Sequence, residues 1–158
     1  MQQGRQKNQV DHPVAGSSSQ HQGVHATLVC CTGGEEGDIL NEAVNTPEVV
    51  ADLHQVRMRE LKAATDIIGY STVEMLGYRD SGMKGSDANE NPESFWAVPR
   101  HESTNRVAEL IRRHRPHVII SYGDPMGGYD HPDHVRVWEV TEPAIAVAAS
   151  VDAEIDGA

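Results

Sequence analysis

Apolar and polar positions alternate along the chain in blocks that change period. The first convincing block is His25 to Thr32 (His-Ala-Thr-Leu-Val-Cys-Cys-Thr), short and almost continuously apolar. That pattern predicts a strand covered on both faces. Thr46-Pro47-Glu48 then opens a helix: Thr46 can cap it, Pro47 suits the first turn and Glu48 complements the dipole. Val50, Leu53, Leu61, Ala64 and Ile68 fall near one stripe, interrupted at Arg57, and Gly69 is the stop. Thr72 to Leu76 predicts a second strand, and 103–114 a second helix with Val107, Leu110 and Ile111 inward, ended by Pro116. His117 to Ser121 predicts a third strand. A last helix runs from about Asp133 to Ser150, broken or kinked at Pro143. The alternation of strand and helix predicts an α/β fold, a Rossmann-like parallel sheet flanked by helices. No apolar run precedes His25 to supply the usual first strand.

The ends differ from this body. Residues 1–24 are rich in Gln, Gly and Ser and carry neither period, so they read as an unstructured segment. Residues 25–150 form the α/β domain, and 151–158 read as a frayed tail. Between the second strand and second helix, Gly85 to Pro99 is polar, with Phe95-Trp96 as an apolar anchor or lid.

Composition narrows the partners. Of 158 residues, 38% are hydrophobic and only 4% aromatic, which predicts a lean aliphatic core. The formal net charge is −11 with no basic stripe, which argues against nucleic acid and for a small polar ligand. No run approaches the roughly 18 apolar residues that span a bilayer. The polar start lacks the apolar core of a secretory signal. Cys30 and Cys31 are adjacent on a predicted strand and point to opposite faces, so they cannot staple the fold. A reduced, cytoplasmic setting is expected. Oligomeric state leaves no signature.

Chemistry concentrates in Gly127-Gly128-Tyr129-Asp130-His131-Pro132-Asp133-His134, after the third predicted strand. In α/β proteins ligands lie beyond the carboxyl ends of the strands. With Pro132 in the first helical turn, His131 and His134 are three apart and project to nearly one side. A metal, or a metal with its reacting substrate, would meet both; a polar loop capped by Asp133 is the blander reading. Two other loops stand at strand ends, Gly33 to Asp38 and Tyr78 to Met83. The first is either a solvated turn or a contact to a sugar or cation. Arg57 either snorkels from its stripe or reaches into a site as a clamp.

Cys31-Thr32-Gly33-Gly34-Glu35-Glu36-Gly37-Asp38, Tyr78-Arg79-Asp80-Ser81-Gly82-Met83, Arg115-Pro116-His117-Val118-Ile119-Ile120 and Gly128-Tyr129-Asp130-His131-Pro132-Asp133-His134 together resemble the PIG-L/LmbE zinc-dependent deacetylases. The loop Gly37-Asp38-Ile39-Leu40-Asn41 most resembles the mycothiol S-conjugate amidases within that group, with N-acetylglucosaminyl-inositol deacetylases next. The resemblance implies hydrolysis of an amide on a glucosamine nitrogen, with one Zn2+. It implies His134 and His12 as metal ligands and His131 as the general acid or electrostatic stabiliser. Asp133 would orient a histidine, Tyr129 would donate to the oxyanion, and Arg57 and Asp80 would contact substrate hydroxyls. The family carries His-Pro-Asp-Asp-Glu after its first strand, supplying a ligand histidine, the base and a ligand aspartate. This chain reads Asp11-His12-Pro13-Val14-Ala15-Gly16. That departure predicts weak or absent zinc binding and severely reduced hydrolysis; whether Glu35 or Glu36 replaces the missing carboxylates stays open in the sequence. The competing reading is a non-catalytic sugar-binding remnant or a fragment of such an enzyme.

Overall fold

The computed structural model describes residues 23–124 and 131–155, with side chains described as far as Ser150. Strand β1 (Thr27–Thr32) leads through helices α1 (Pro47–Ala51) and α2 (Leu53–Ile68) to β2 (Thr72–Tyr78). A 3-10 turn at Asp87–Glu90 precedes α3 (Arg100–His114), and α4 (Pro132–Ile155) closes the order. The strands pair in parallel, Thr27 beside Thr72 and Cys30 beside Met75, with an irregularity before Thr32 meets Tyr78. This is the expected α/β fold.

Local signals set the element ends. Thr46 Oγ1 accepts the Val49 N–H at 3.4 Å, and Pro47 takes the first turn. Gly69 ends α2 at φ 89°, a left-handed geometry that suits a residue without Cβ. The predicted single helix is divided at Asp52, whose backbone leaves the helical region (φ −127°, ψ 33°). The inward line of α2 also differs from the expected stripe. Val50 and Ala64 are exposed, and the buried position is Thr65, whose hydroxyl donates back to the Leu61 carbonyl at 2.9 Å.

The core lies on one face of the sheet. Leu76 and Tyr78 of β2 meet Phe95, Leu110 of α3 and Val140 of α4, with Cys31 of β1 packed against them. Tyr78 and Phe95 stack at 5.2 Å between ring centroids. So Phe95 is an anchor at the centre of the core, whereas Trp96 is half-exposed. A second cluster, Ala108, Ala144 and Ala148, lets α3 and α4 approach closely. Arg112 fastens that seam, donating from Nη2 to the Val147 carbonyl at 2.6 Å. Coverage of both faces was expected, but Val29, Val73 and Met75 are more than a third exposed.

The predicted strand at 117–121 does not form; the sheet of the described residues has two strands, and Val118 and Ile120 stand exposed. A strand needs a ladder to join. Among the described residues no strand pairs with 117–121. The last helix begins at Pro132, one residue before the expected start, and continues through Pro143. No described helix is long and apolar enough to cross a membrane.

Candidate functional site

Three segments far apart in sequence meet beyond the carboxyl ends of the strands: the loop after β1, the loop after β2 and the start of α4. The β2 loop is held first by backbone. The Arg79 N–H donates to the Glu93 carbonyl and the Phe95 N–H donates to the Arg79 carbonyl, each at 3.0 Å. Asp80 follows at once, buried, its Oδ1 accepting the Gly82 N–H at 2.8 Å. Gly82 has φ 64°, which favours a residue without Cβ. Asn89 clasps the loop from the far side, donating from Nδ2 to the Ser81 carbonyl and accepting the Gly85 N–H on Oδ1 at 2.8 Å.

Ser81, fully buried, joins this loop to α4. Its N–H donates to Asp133 Oδ2 at 3.3 Å, while its Oγ accepts the Trp96 N–H at 2.9 Å. Asp133 is 7% exposed, and its Oδ1 is buried without a hydrogen-bond partner. Burial pushes the Asp133 carboxyl above the usual range; bonds from Ser81 offset this in part, and the Asp80 charge adds to it.

His131 stands at the N-terminus of α4. Its carbonyl accepts the Val135 N–H at 3.1 Å and its ring Nδ1 accepts the Asp133 N–H at 3.2 Å. A neutral ring whose Nδ1 accepts holds its proton on Nε2. His134, one turn along, lies 5.3 Å from His131 between ring centroids and stacks on Tyr122 at 4.2 Å. Burial, and then the neighbouring His131, hold the His134 pKa below its ordinary value. The ring is thereby kept neutral at physiological pH.

Asp80, His131 and Asp133 offer ligand atoms that all lie within 4.8 Å of one another. Two carboxylates and an imidazole suit a divalent cation such as zinc. The partnerless Asp133 Oδ1 is a further sign that the group fits one. His134 sits beside this set rather than in it. His12 and Tyr129, the other residues the sequence singled out, lie outside the described residues.

The loop after β1 supplies the third side. Glu35 Oε2 accepts the Asp80 N–H at 3.0 Å, and Oε1 accepts from His54 Nδ1 at 2.7 Å. Glu36 pairs with Arg79 at 2.6 Å. Arg57 serves the same loop: its Nη2 donates to the Asp38 carbonyl at 3.2 Å and its Nη1 to Glu60 at 2.9 Å. Sequence reasoning did not find His54 or Ser81. The signal available for His54 was its polar place one residue after Leu53 at the start of α2, which by itself says nothing of Glu35.

The chain matches the PIG-L family, described as GlcNAc-PI de-N-acetylase, over residues 15–145. It belongs to that family. His12 precedes the matched residues. Among its relatives, the 1D-myo-inositol 2-acetamido-2-deoxy-alpha-D-glucopyranoside deacetylase of Streptomyces griseus is 41% identical over 134 residues, 81% of this chain and 41% of the relative. The enzyme of the same name from Thermobifida fusca is 39% identical over 139 residues, 81% of this chain and 46% of its own length. The chain thus spans less than half the length of these two curated relatives. The solved N,N'-diacetylchitobiose deacetylase of Pyrococcus horikoshii superposes with a TM-score of 0.61 at 21% identity, over 85% of this chain and 44% of that one. GalB, the 4-carboxy-2-hydroxymuconate hydratase of Pseudomonas putida, superposes at 0.55 and 24% identity, over 82% and 48%. A deacetylase and a hydratase share this architecture, so fold alone does not name the reaction.

Proposed function

We propose that the site belongs to a metal-dependent N-deacetylase acting on a glucosamine-containing small molecule of the inositol-linked type carried by the relatives' names. One observation carries the reading: the His131 ring meets the Asp80 and Asp133 carboxylates at the head of α4, and because its Nδ1 accepts the Asp133 N–H, Nε2 is left to carry the proton that the reaction needs. An amide has a poor leaving group, and an imidazole placed to give a proton to the departing amine answers that need. His134, held neutral, offers a lone pair to zinc, with His12 as the inherited second ligand. The Asp80–His131–Asp133 set lies alongside. Zinc held by these residues would supply Lewis-acid polarisation of the amide carbonyl and a water of lowered pKa. Asp133 orients the His131 ring through its backbone N–H. Tyr129 donates to the oxyanion, and Arg57 and Asp80 contact sugar hydroxyls.

Val14 and Ala15 follow His12-Pro13 where the family carries its paired aspartates, so this chain binds zinc weakly and hydrolyses slowly. That departure also supports a second reading, retention of sugar binding without turnover. Acetate release from N-acetylglucosaminyl-inositol, together with zinc titration of His131→Ala and His134→Ala, tests the assignment. We expect His134→Ala to abolish the residual zinc affinity and His131→Ala to keep it while losing turnover. The reverse pattern gives the cation to Asp80, His131 and Asp133. Sugar binding with no acetate release from the unaltered chain favours the second reading. Tight one-to-one zinc binding by the unaltered chain refutes the weak-site reading.

A further inference from the structure

Glu35 is the most heavily engaged carboxylate near the site that the reaction leaves without a task. Its side chain is 16% exposed, and both oxygens are committed. Oε1 takes His54 Nδ1 at 2.7 Å, so the carboxylate is tied to the first turn of α2. Oε2 takes the backbone N–H of Asp80 at 3.0 Å, 45 residues away. The backbone before it is shaped to allow this. Gly33 is buried, and a Cβ on it would collide with His54 Nδ1 and Glu35 Oε1. Burial pushes the Glu35 carboxyl up, but its amide bonds and His54 outweigh burial and hold the pKa below the ordinary value, so the group is anionic at neutral pH.

The placement has a consequence for Asp80. That residue is held at its N–H by Glu35 and at its Oδ1 by the Gly82 N–H. Those two bonds fix the backbone and side chain in the place where a carboxylate oxygen lies within 4.8 Å of the His131 and Asp133 ligand atoms. We propose that Glu35 is a positioning residue: through His54 and the Asp80 N–H it sets the carboxylate of Asp80 in front of His131 and Asp133, and so sets affinity for the amino-sugar hydroxyl that Asp80 meets. The sugar part of this rests on the reading under Proposed function; the geometric part does not.

The test compares Glu35→Ala with Glu35→Gln. A glutamine keeps a carbonyl oxygen for the Asp80 N–H and turns an amide N–H toward His54, whose Nδ1 accepts in the other tautomer. Three signals are read by NMR on the full chain: exchange of the Asp80 amide, the His131 ring resonances, and binding of N-acetyl-D-glucosamine as the probe. For Glu35→Ala we expect Asp80 exchange to quicken about tenfold, the His131 resonances to shift, and the probe to bind about tenfold more weakly. Glu35→Gln should restore all three. The Phe95 amide, bonded to the Arg79 carbonyl, is the internal reference and should stay unchanged. Equal quickening at Phe95 and Asp80 means general loosening and overturns the proposal. So does unchanged Asp80 exchange in Glu35→Ala, or failure of Glu35→Gln to restore it. If the unaltered chain does not bind the probe, the amino-sugar reading fails; Asp80 exchange and the His131 resonances then decide the positioning role alone.

Discussion

Replacing Phe95 with alanine tests whether one aromatic side chain holds the site loop to the sheet. Phe95 is fully buried, stacked on Tyr78 and packed with Leu76, Leu110 and Val140. Truncating a buried phenylalanine costs about 3–5 kcal/mol, part transfer and part residual cavity. The cavity term should be large at this position. The α3–α4 seam is fixed by contact among Ala108, Ala144 and Ala148 and by Arg112, so the helices cannot close over the gap. We therefore expect about 4 kcal/mol, a large share of the roughly 5–15 kcal/mol that holds a domain. With a urea slope of about 2 kcal/mol per molar, the unfolding midpoint falls by about 2 M. Trp96→Ala is the control. Trp96 is 36% exposed and its ring lies under the Arg136 guanidinium, 4.9 Å from the centroid. Its loss should cost about 1–2 kcal/mol, part packing and part cation–π attraction. Equilibrium urea unfolding followed by circular dichroism gives both values. A Phe95→Ala cost under about 1 kcal/mol, or one no larger than that of Trp96→Ala, refutes this account of the core.

Other expected outcomes follow from single groups. Asp133 has a folded-state pKa raised by burial, so the folded protein binds its proton more tightly than the unfolded chain does. Its contribution therefore strengthens stability as pH falls through the raised pKa toward the unfolded value and is lost as pH rises. Asp133→Asn should flatten that part of a stability-versus-pH curve, and an unchanged curve argues against the shift. His134 acts in the opposite sense: its lowered folded pKa means that stability falls as pH drops through about 6.5, the unfolded value. His134→Gln should remove that loss in thermal melts across pH 5–7, which a persistent loss would contradict. Burial, then Asp133, pushes the Cys31 thiol up to about 12, leaving on the order of one thiolate in ten thousand at pH 8. Mass spectrometry after iodoacetamide should find Cys31 unmodified in the folded protein and modified in urea; equal rates in both would be inconsistent with burial. Gly33→Ala forces its Cβ into the Glu35–His54 pair and should cost about 1–3 kcal/mol. A thermal melt within about one degree of the unaltered protein would show that the pair moves freely aside.

What this sequence determined by itself was the set of elements whose signals lie within a few residues. Thr46, Pro47 and Gly69 bound their helices because caps act through bonds to neighbours three or four places along. Alternating strands and helices predict a parallel α/β fold, and the motifs at strand ends predict where chemistry gathers. Local pattern could not decide whether 117–121 would be a strand, because an apolar run becomes one only beside a partner. Nor could it decide the division at Asp52 or the choice of Thr65 over Ala64 as the inward residue of α2. The site shows the same division most clearly. His131, Asp133 and Asp80 are legible as candidates from their motifs. The assembly that joins them is tertiary: Ser81 reaches Asp133 across 52 residues, and Glu35 links His54, 19 residues on, to Asp80, 45 residues on. Bonds at such separations exist only once packing around Phe95 and the α3–α4 seam has brought the three loops together. That is why the chain announces its reactive side chains and the fold alone decides which of them meet.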